Sequence, residues 1–478
     1  MIILLLGATG FIGKVLLERL LHDKDVKAVY VLMRGSKKFP NVEDRFEHEV
    51  KGSKCFENCQ GLFHKTKVTP IEGDITNSEN MGMDQLTTEL VLDSITHILN
   101  LAADVSFDKP LLEATKSNVE GPMNALSLAK KCQNLCSFVH CSTAYVFPPG
   151  QTEGAVMKED ITGYFKETSG TAIYEKIQSK IYLKEEEDSL LERSKLPNTY
   201  AFSKALAESM LCENHGNIPL TIVRLSIVGP SLSHPHAGWV DSVSAISAYK
   251  YFYGGGFIHF YCGKPDVMID VVPCDYVAYC LLQAAKKPSE GSSIDRVRII
   301  NATAGKKNSL TIRNWSKAAA LFFSKSGRKT FLKPFPRSNF VVSDKLDVER
   351  QMKKDTSRIN TRVLFLKATG QMQAAKKLDR VIKIIPNVVH SFEAYCTGFL
   401  WNFESSMELS KLYPEFEKDA YRELIMQGVF FYLLRSGLES KENLRPSNIL
   451  IWLKFALVLV GIWALVATDI LTVMTVFP

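Results

Sequence analysis

The opening stretch Met1-Ile-Ile-Leu-Leu-Leu-Gly7-Ala-Thr-Gly10-Phe-Ile-Gly13 constrains this chain more than any other. Ile2 to Leu6 is an unbroken apolar run that reads as a strand buried on both faces, and Val15, Leu16, Leu17, Leu20 and Leu21 follow at helical spacing. A strand therefore turns tightly into a helix. Three glycines occupy the turn as G-x-x-G-x-x-G. Their missing Cβ atoms let the backbone bend, let a pyrophosphate approach the helix N-terminus and let helix pack on strand. A dinucleotide-binding turn is the reading, with Gly7, Thr9, Gly10, Phe11, Ile12 and Gly13 as its cofactor contacts.

The glycine spacing suits the short-chain dehydrogenase/reductase branch of such folds. Ala28 to Met33 forms a second apolar strand that ends on Arg34, with Lys37 and Lys38 close behind. An acid at that place would hold a 2′-hydroxyl, whereas a basic group accepts a 2′-phosphate, so NADPH is expected. Lys67 to Ile71 is a third strand ending on Gly73-Asp74, and Ile95 to Leu101 a fourth ending on Ala102-Ala103-Asp104. Asp74 can meet the adenine edge, and Ala102 leaves room beside the cofactor. Strands alternating with helices predict an α/β fold with a doubly wound parallel sheet. Asn118, in the next helical stretch, is read as holding a buried water or a local bend, or as a plain polar helix residue.

Ser137 to His140 is a fifth strand that runs out into Cys141-Ser142-Thr143-Ala144-Tyr145-Val146, and Tyr200-Ala-Phe-Ser-Lys204 follows later. Tyr200 and Lys204, four residues apart, share one helix face. Carbonyl reduction uses such a pair: the ammonium lowers the phenol's pKa and holds the nicotinamide ribose, while the phenol bonds the oxygen that receives a proton. Ser142 or Thr143 supplies the hydroxyl at the strand end, and Tyr145 is read as packing.

At 478 residues with 46% hydrophobic content, the chain has material for two or three domains. Its net charge of +7 is modest and reads as spread along the chain, so no nucleic-acid partner is called for, while a phosphate-rich ligand or an anionic membrane surface would account for some of it. Ten cysteines form neither paired C-x-x-C motifs nor a zinc pattern, and with no secretory signal they are expected to be reduced. His234 and His236 lack a third ligand, so no metal is expected. Asn301 to Thr303 is read as a chance sequon, and Asp275, beside Pro273 at a helix start, as a helix-start charge rather than a catalyst.

Several stretches together resemble the fatty acyl-CoA reductase family: Gly7-Ala-Thr-Gly-Phe-Ile-Gly-Lys-Val-Leu-Leu-Glu, Gly73-Asp-Ile, Cys141-Ser-Thr-Ala-Tyr-Val, Pro197-Asn-Thr-Tyr-Ala-Phe-Ser-Lys, Ile222-Val-Arg-Leu-Ser-Ile-Val-Gly-Pro and Gly238-Trp-Val-Asp. They occur in the family's order across roughly residues 1 to 305. The resemblance implies an extended reductase fold with NADPH held by the glycine turn, Arg34, Asp74, Ala102, Tyr200 and Lys204. Thr143, Tyr200 and Lys204 would form the catalytic trio, since Thr143, counted back from Val146, takes the hydroxyl's place in extended reductases. The substrate would be a long-chain fatty acyl-CoA, reduced to a primary alcohol by two hydride transfers through an aldehyde. Three rivals share parts of this pattern: a membrane reductase of sterol-type substrates, an acyl-CoA reductase that stops at aldehyde, and a non-catalytic NADP-binding membrane protein.

Single strands are also read at Leu220 to Val228 and near Met268 to Val272. Past Lys306-Lys307-Asn308-Ser309, helical patterns dominate from Thr311 to Leu438, broken by Pro334, Pro336, Pro386 and Pro414. Trp401 to Glu404 and Leu412 to Glu417 are similar to the family's carboxy-terminal domain. The expected organisation is a catalytic domain over 1–305, a helical domain over 306–445 and a hydrophobic tail over 449–478. Ile449 to Thr468, interrupted by Lys454, is about one bilayer span, with Asp469 just beyond it; an interfacial helix or a hairpin is the other reading. Arg435, Lys441 and Arg445 upstream then leave the catalytic body cytosolic, on peroxisomal or endoplasmic reticulum membrane.

Overall fold

A computed structural model describes residues 1–435 apart from 108, 149–155, 162–164, 166–167, 180–183, 289–296, 326–340 and 397–401. Its centre is a parallel sheet built from β1 (Ile2–Leu6), β2 (Ala28–Met33), β3 (Lys67–Glu72), β4 (His97–Asn100), β5 (Ser137–Thr143), β6 (Leu220–Leu225) and a seventh strand, Val297–Ala302. From one edge the order is Val297–Ala302, β6, β5, β4, β1, β2, β3, with every pairing parallel. The chain runs outward from β1 through β2 to β3, then returns to the other side of β1 with β4. That reversal leaves a crevice at the carboxyl ends of β1 and β4, where doubly wound sheets bind ligands.

Burial follows the order. β6 is buried throughout and β1 nearly so, because helices cover both faces, whereas β3 is half exposed at the edge. Pro70 lies in that edge strand, where a missing N–H can face away from the ladder. On one face, Val15, Leu16, Leu17 and Leu20 of α1 (Phe11–His22) join the core formed by the helix Cys274–Lys286; on the other, Leu126, Phe138 and Ile222 belong to a second cluster.

Two expected strands each divide. Leu220 to Val228 breaks at Ser226, and Ile227–Gly229 leaves the main sheet to pair with Val271–Pro273. Met268–Ile269 pairs antiparallel with Leu310–Thr311 instead. Buried Asp270 forces the second break, since its carboxylate accepts the N–H groups of Ala304 and Gly305, both at 2.8 Å. Nor does Pro386 interrupt its helix. Met372–Cys396 runs through it, because the buried stripe Leu378, Ile385, Val389 and Phe392 outweighs a proline penalty of about 3 kcal/mol. Pro334, Pro336, Trp401 and the tail 449–478 lie outside the described residues, among which no helix is long and apolar enough to cross a membrane.

The helices Ile312–Lys325, Lys345–Ala368, Met372–Cys396 and Lys418–Gly428 form the carboxy-terminal part. Short strand contacts join it to the sheet-bearing part: Val341–Val342 pairs with Tyr261–Cys262, and Met157 bridges Phe403. Met1–Leu433 is one compact unit, and a second begins at Leu434.

One buried charge on α1 gives a pH test. Burial pushes Glu18 up to about 7, against the pull of Arg19 and with a further push from Asp275. Its folded pKa lies above the unfolded one, so its favourable contribution is complete below about pH 4.5 and is lost as pH rises through about 7. Glu18→Gln is therefore expected to flatten the fall in melting temperature between those pH values, measured by thermal denaturation across pH.

Candidate active site

Two of the three glycines in the β1–α1 turn are demanded by the protein itself. Gly7 has φ +92°, and a Cβ on it would lie 2.8 Å from the backbone of Leu101 and Ala102; one on Gly13 would lie 2.1 Å from the Gly7 carbonyl oxygen. Gly10 differs. Its nearest neighbour would be an ordinary 3.4 Å away, so the space beside it is open to a ligand rather than filled by protein. Gly10 is also the N-cap of α1, with no side-chain cap and no acid in the first turn. The N-terminal N–H groups of α1 and the helix dipole thus lie beside exposed Gly10, an arrangement that fits a dinucleotide pyrophosphate.

The Gly238-Trp-Val-Asp motif buttresses this turn. Trp239 is buried and stacks on Phe11 with centroids 5.5 Å apart, and Asp241 pairs with Lys14 at 2.6 Å. Asp275 is more than a helix-start charge: buried, its carboxylate accepts the N–H groups of Leu232, Ser233 and His234 at 2.8 to 3.1 Å and shapes the loop before that motif. Among the described residues no cluster could hold a metal.

At the other end of the crevice, Arg34 follows β2 and Asp74 follows β3, and the two form an ion pair at 3.1 Å. Burial would raise Asp74, but hydrogen bonds from the Thr76 N–H and hydroxyl, helped by Arg34, hold its carboxyl below the usual range. Arg34 remains largely exposed and can turn toward a ligand phosphate. Ala102 lies against Gly7 and donates its N–H to Asn100 at 3.2 Å. Asn118 lies in a wide π-type turn, Lys116–Glu120. There it accepts the Asp104 N–H at 2.8 Å and donates to the Asp104 carbonyl at 2.9 Å and Ser203 at 3.0 Å. It ties the loop after β4 to the Tyr200 helix, so the local bend expected at Asn118 is present.

That helix, Thr199–Asn214, is capped by Asn198, whose Oδ1 accepts the Ala201 N–H at 2.8 Å. Lys204 is buried and donates to the Cys141 carbonyl at 2.8 Å, which pins the helix against β5 two residues before Thr143. Burial lowers the Lys204 pKa, partly offset by Cys141 and Glu208. Tyr200 is half-buried and its hydroxyl makes no hydrogen bond among the described residues. Here the phenol departs from the expectation: burial first, then Cys141 and Tyr395, push its pKa above the ordinary value, while the Lys204 ammonium donates to the Cys141 carbonyl. Thr143 is held loosely, donating to Leu225 O at 3.4 Å and accepting from Tyr145 N–H at 3.3 Å, while the buried Ser142 hydroxyl has no partner among the described residues.

Several neighbours of this site carry no local signal. Phe107 meets Tyr200 edge-on at 5.4 Å, and Tyr395, from the end of Met372–Cys396, lies 5.9 Å from Phe107 and 4.4 Å from Tyr145. Phe403 closes on Tyr145 at 5.9 Å, so Tyr145 is packing, as read. Asn198 donates its Nδ2–H to the Tyr395 hydroxyl at 3.1 Å, linking the carboxy-terminal part to the cap of the Tyr200 helix. An aromatic wall from distant sequence thus flanks Tyr200. Asn301 is buried with its amide on the Met157 and Glu404 carbonyls, so the sequon is inaccessible in this fold. All ten cysteines are free thiols.

Comparison with known proteins places these features in context. An NAD-binding family model described as "Male sterility protein" matches residues 5–281. The "Probable fatty acyl-CoA reductase 4" of Arabidopsis thaliana is 30% identical over 355 residues, covering 68% of this chain and 71% of that protein. The "Alcohol-forming fatty acyl-CoA reductase" of Simmondsia chinensis is 31% identical over 59% of this chain and 62% of its own length. "Fatty acyl-CoA reductase 2" of Mus musculus is 28% identical over 93% and 87%. The chain spans 50% to 71% of the length of the matched Arabidopsis, Simmondsia and Drosophila relatives. Among solved structures, the terminal R domain of the myxalamid biosynthetic pathway superposes with a TM-score of 0.58 at 18% identity, covering 93% of this chain and 91% of that one. The reductase domain of a Mycobacterium tuberculosis nonribosomal peptide synthetase gives 0.55 at 17%, covering 91% and 92%. At such identities the likeness is one of fold.

Proposed function

The chain belongs to the fatty acyl-CoA reductase family, described also as male sterility protein, and from that premise we propose that it reduces long-chain fatty acyl-CoA to the primary alcohol and CoA, using two NADPH. The observation that carries this reading is the Lys204 contact with Cys141, which holds Tyr200 beside the hydroxyl-bearing end of β5. The open space at Gly10 is the second support.

When bound, NADPH supplies the hydride. The α1 N-terminus and glycine turn would hold its pyrophosphate, Arg34 would exchange Asp74 for the 2′-phosphate, and Lys204 would orient the nicotinamide ribose. Tyr200, protonated at neutral pH because its pKa is raised, hydrogen-bonds the thioester oxygen and delivers a proton as hydride reaches the carbonyl carbon. Thr143 gives the same oxygen a second donor, since its present bonds are long and cost little to release. The resulting thiohemiacetal returns its hydroxyl proton to the Tyr200 phenolate as its C–S bond breaks, which expels CoA thiolate, leaves an aldehyde and restores Tyr200 as a donor. A second hydride and a second Tyr200 proton make the alcohol. We assign the tail 449–478 to the bilayer surface or interior, where a long-chain alcohol can leave without crossing water.

The test is lipid product analysis of purified protein given palmitoyl-CoA and longer acyl-CoAs with NADPH. Alcohol formed with two NADPH consumed per CoA released supports the reading. Aldehyde at one NADPH would make the chain an aldehyde-stopping reductase, and no product from any acyl-CoA would end the assignment. Ser142→Ala and Thr143→Val separate the two hydroxyls, the larger loss of kcat being expected for Thr143. For the cofactor, Arg34→Gln is expected to lower the NADPH-to-NADH ratio of kcat/KM roughly tenfold, the loss of one charge-assisted bond, read from parallel initial rates. An unchanged ratio would remove Arg34 from the site.

A further inference from the structure

The helical hairpin Lys345–Ala368 and Met372–Cys396 concentrates the chain's charge. Residues 345–383 contain eleven Lys or Arg and four Asp or Glu, a surplus of seven that equals that of the whole chain, 58 against 51. The remainder is neutral overall, so the net charge is concentrated in this hairpin rather than spread along the chain as expected.

All four acids are already engaged. Asp355 is buried against His259 and Arg358, Asp347 pairs with Arg350, Asp379 with Lys367, and Glu349 lies 3.5 Å from His390. Lys353, Lys354, Lys376, Lys377, Arg380 and Lys383 are exposed and form no ion pair among the described residues, whereas Asp347, Glu349 and Asp379 are only partly exposed and each is already paired. An ordinary solvated helix face mixes both signs.

The geometry gathers these charges onto outward stripes. Leu346, Arg350 and Lys353, and three turns further on Leu364 and Lys367, lie on one side of the first helix, opposite buried Val348, Met352, Ile359 and Val363. Met372, Lys376, Arg380, Lys383 and Ile384 do so on the second, opposite Leu378, Ile385 and Val389. Large apolar side chains stand among the cations: Leu346 is 74% exposed, Leu364 67%, Met372 49% and Ile384 47%.

We propose that this outward face of the hairpin docks on an anionic lipid bilayer, the lysines and arginines meeting headgroup phosphates while Leu346, Leu364, Met372 and Ile384 enter the headgroup–acyl boundary. Charge complementarity selects an anionic surface. The aliphatic residues select a lipid one, because a nucleic acid would call for aromatic platforms and would leave them in water. The inference does not depend on the acyl-CoA reading.

The test offers the full-length, detergent-purified chain to a mixture of equal amounts of phosphatidylcholine vesicles and vesicles that also contain phosphatidylserine, each with its own dye, and reads how protein divides between them after flotation. Because the vesicles compete, apolar insertion of the tail contributes equally to both, and a variant that leaves Arg435, Lys441, Arg445 and Lys454 in place isolates the hairpin's share of any anionic preference. The wild type is expected to favour the anionic vesicles by about tenfold or more at low salt, and to lose that preference at high salt. Lys353→Gln, Lys354→Gln, Lys376→Gln and Lys377→Gln combined should lose most of that preference while keeping the wild-type melting temperature. Leu364→Ser with Met372→Ser removes apolar contact from both vesicles alike and should leave the anionic preference and its salt dependence in place. An even division of wild type, an unaltered preference in the lysine variant, or a preference abolished by RNA that binds more tightly than the vesicles would each overturn the proposal.

Discussion

Tyr200→Phe is expected to lower kcat for acyl-CoA reduction by about 10²- to 10⁴-fold with KM for NADPH little changed. The hydroxyl is the only atom removed, and it makes no hydrogen bond to the described protein, so the fold should not register its loss. The ring also remains to meet Phe107 edge-on. Lys204→Met should behave differently, raising KM for NADPH as well as lowering kcat, because its ammonium both orients ribose and ties the helix to Cys141. Steady-state kinetics with a matched melting curve distinguish the two. A Tyr200→Phe protein within about tenfold of wild type would displace Tyr200 from the proton-donor role.

The largest effect on stability is expected at Glu208. Its carboxylate meets the Arg224 guanidinium at 2.6 and 3.1 Å with both side chains essentially buried, on the Tyr200 helix and β6 respectively. Arg224 Nη1 also donates to the Asp160 carbonyl at 2.8 Å, and its guanidinium lies 4.8 Å from the Phe147 ring. Glu208→Ala would leave a buried cation unpaired, at a cost of about 3–5 kcal/mol, readable as a lower urea midpoint. Glu208→Ala with Arg224→Met should recover much of that loss, since desolvation of the pair is relieved together with the attraction. Glu208 also helps keep Lys204 protonated, so its removal should lower the Lys204 pKa further. A single variant as stable as wild type would show that the pair adds nothing net.

Tyr395 shows where local reading stops. Met372–Cys396 is recognisable as an amphipathic helix from its own spacing, and so is the helix that carries Tyr200 and Lys204. That Tyr395 meets Phe107, Tyr145 and Asn198 depends on how the helix seats against residues about two hundred to three hundred positions away, which no short-range pattern encodes. The Arg224–Glu208 pair is hidden for the same reason: each residue looks like an ordinary surface charge until strand and helix close over both. Pro386 was misleading in the opposite sense, because a local helix-breaking preference of a few kcal/mol yields to a buried apolar stripe.

The sequence by itself determined the parallel sheet, the glycine turn, the basic end of β2 and the Tyr200/Lys204 face, because each rests on backbone sterics or on periodicity within a few residues. Only the tertiary structure decided that Lys204 rests on the Cys141 carbonyl, that Trp239 braces Phe11, that an aromatic wall flanks Tyr200 and that Lys345–Ala368 and Met372–Cys396 turn their cations outward. These are contacts between elements far apart in the chain. Their partners are chosen by packing and desolvation, which act on the assembled surfaces rather than on neighbouring residues.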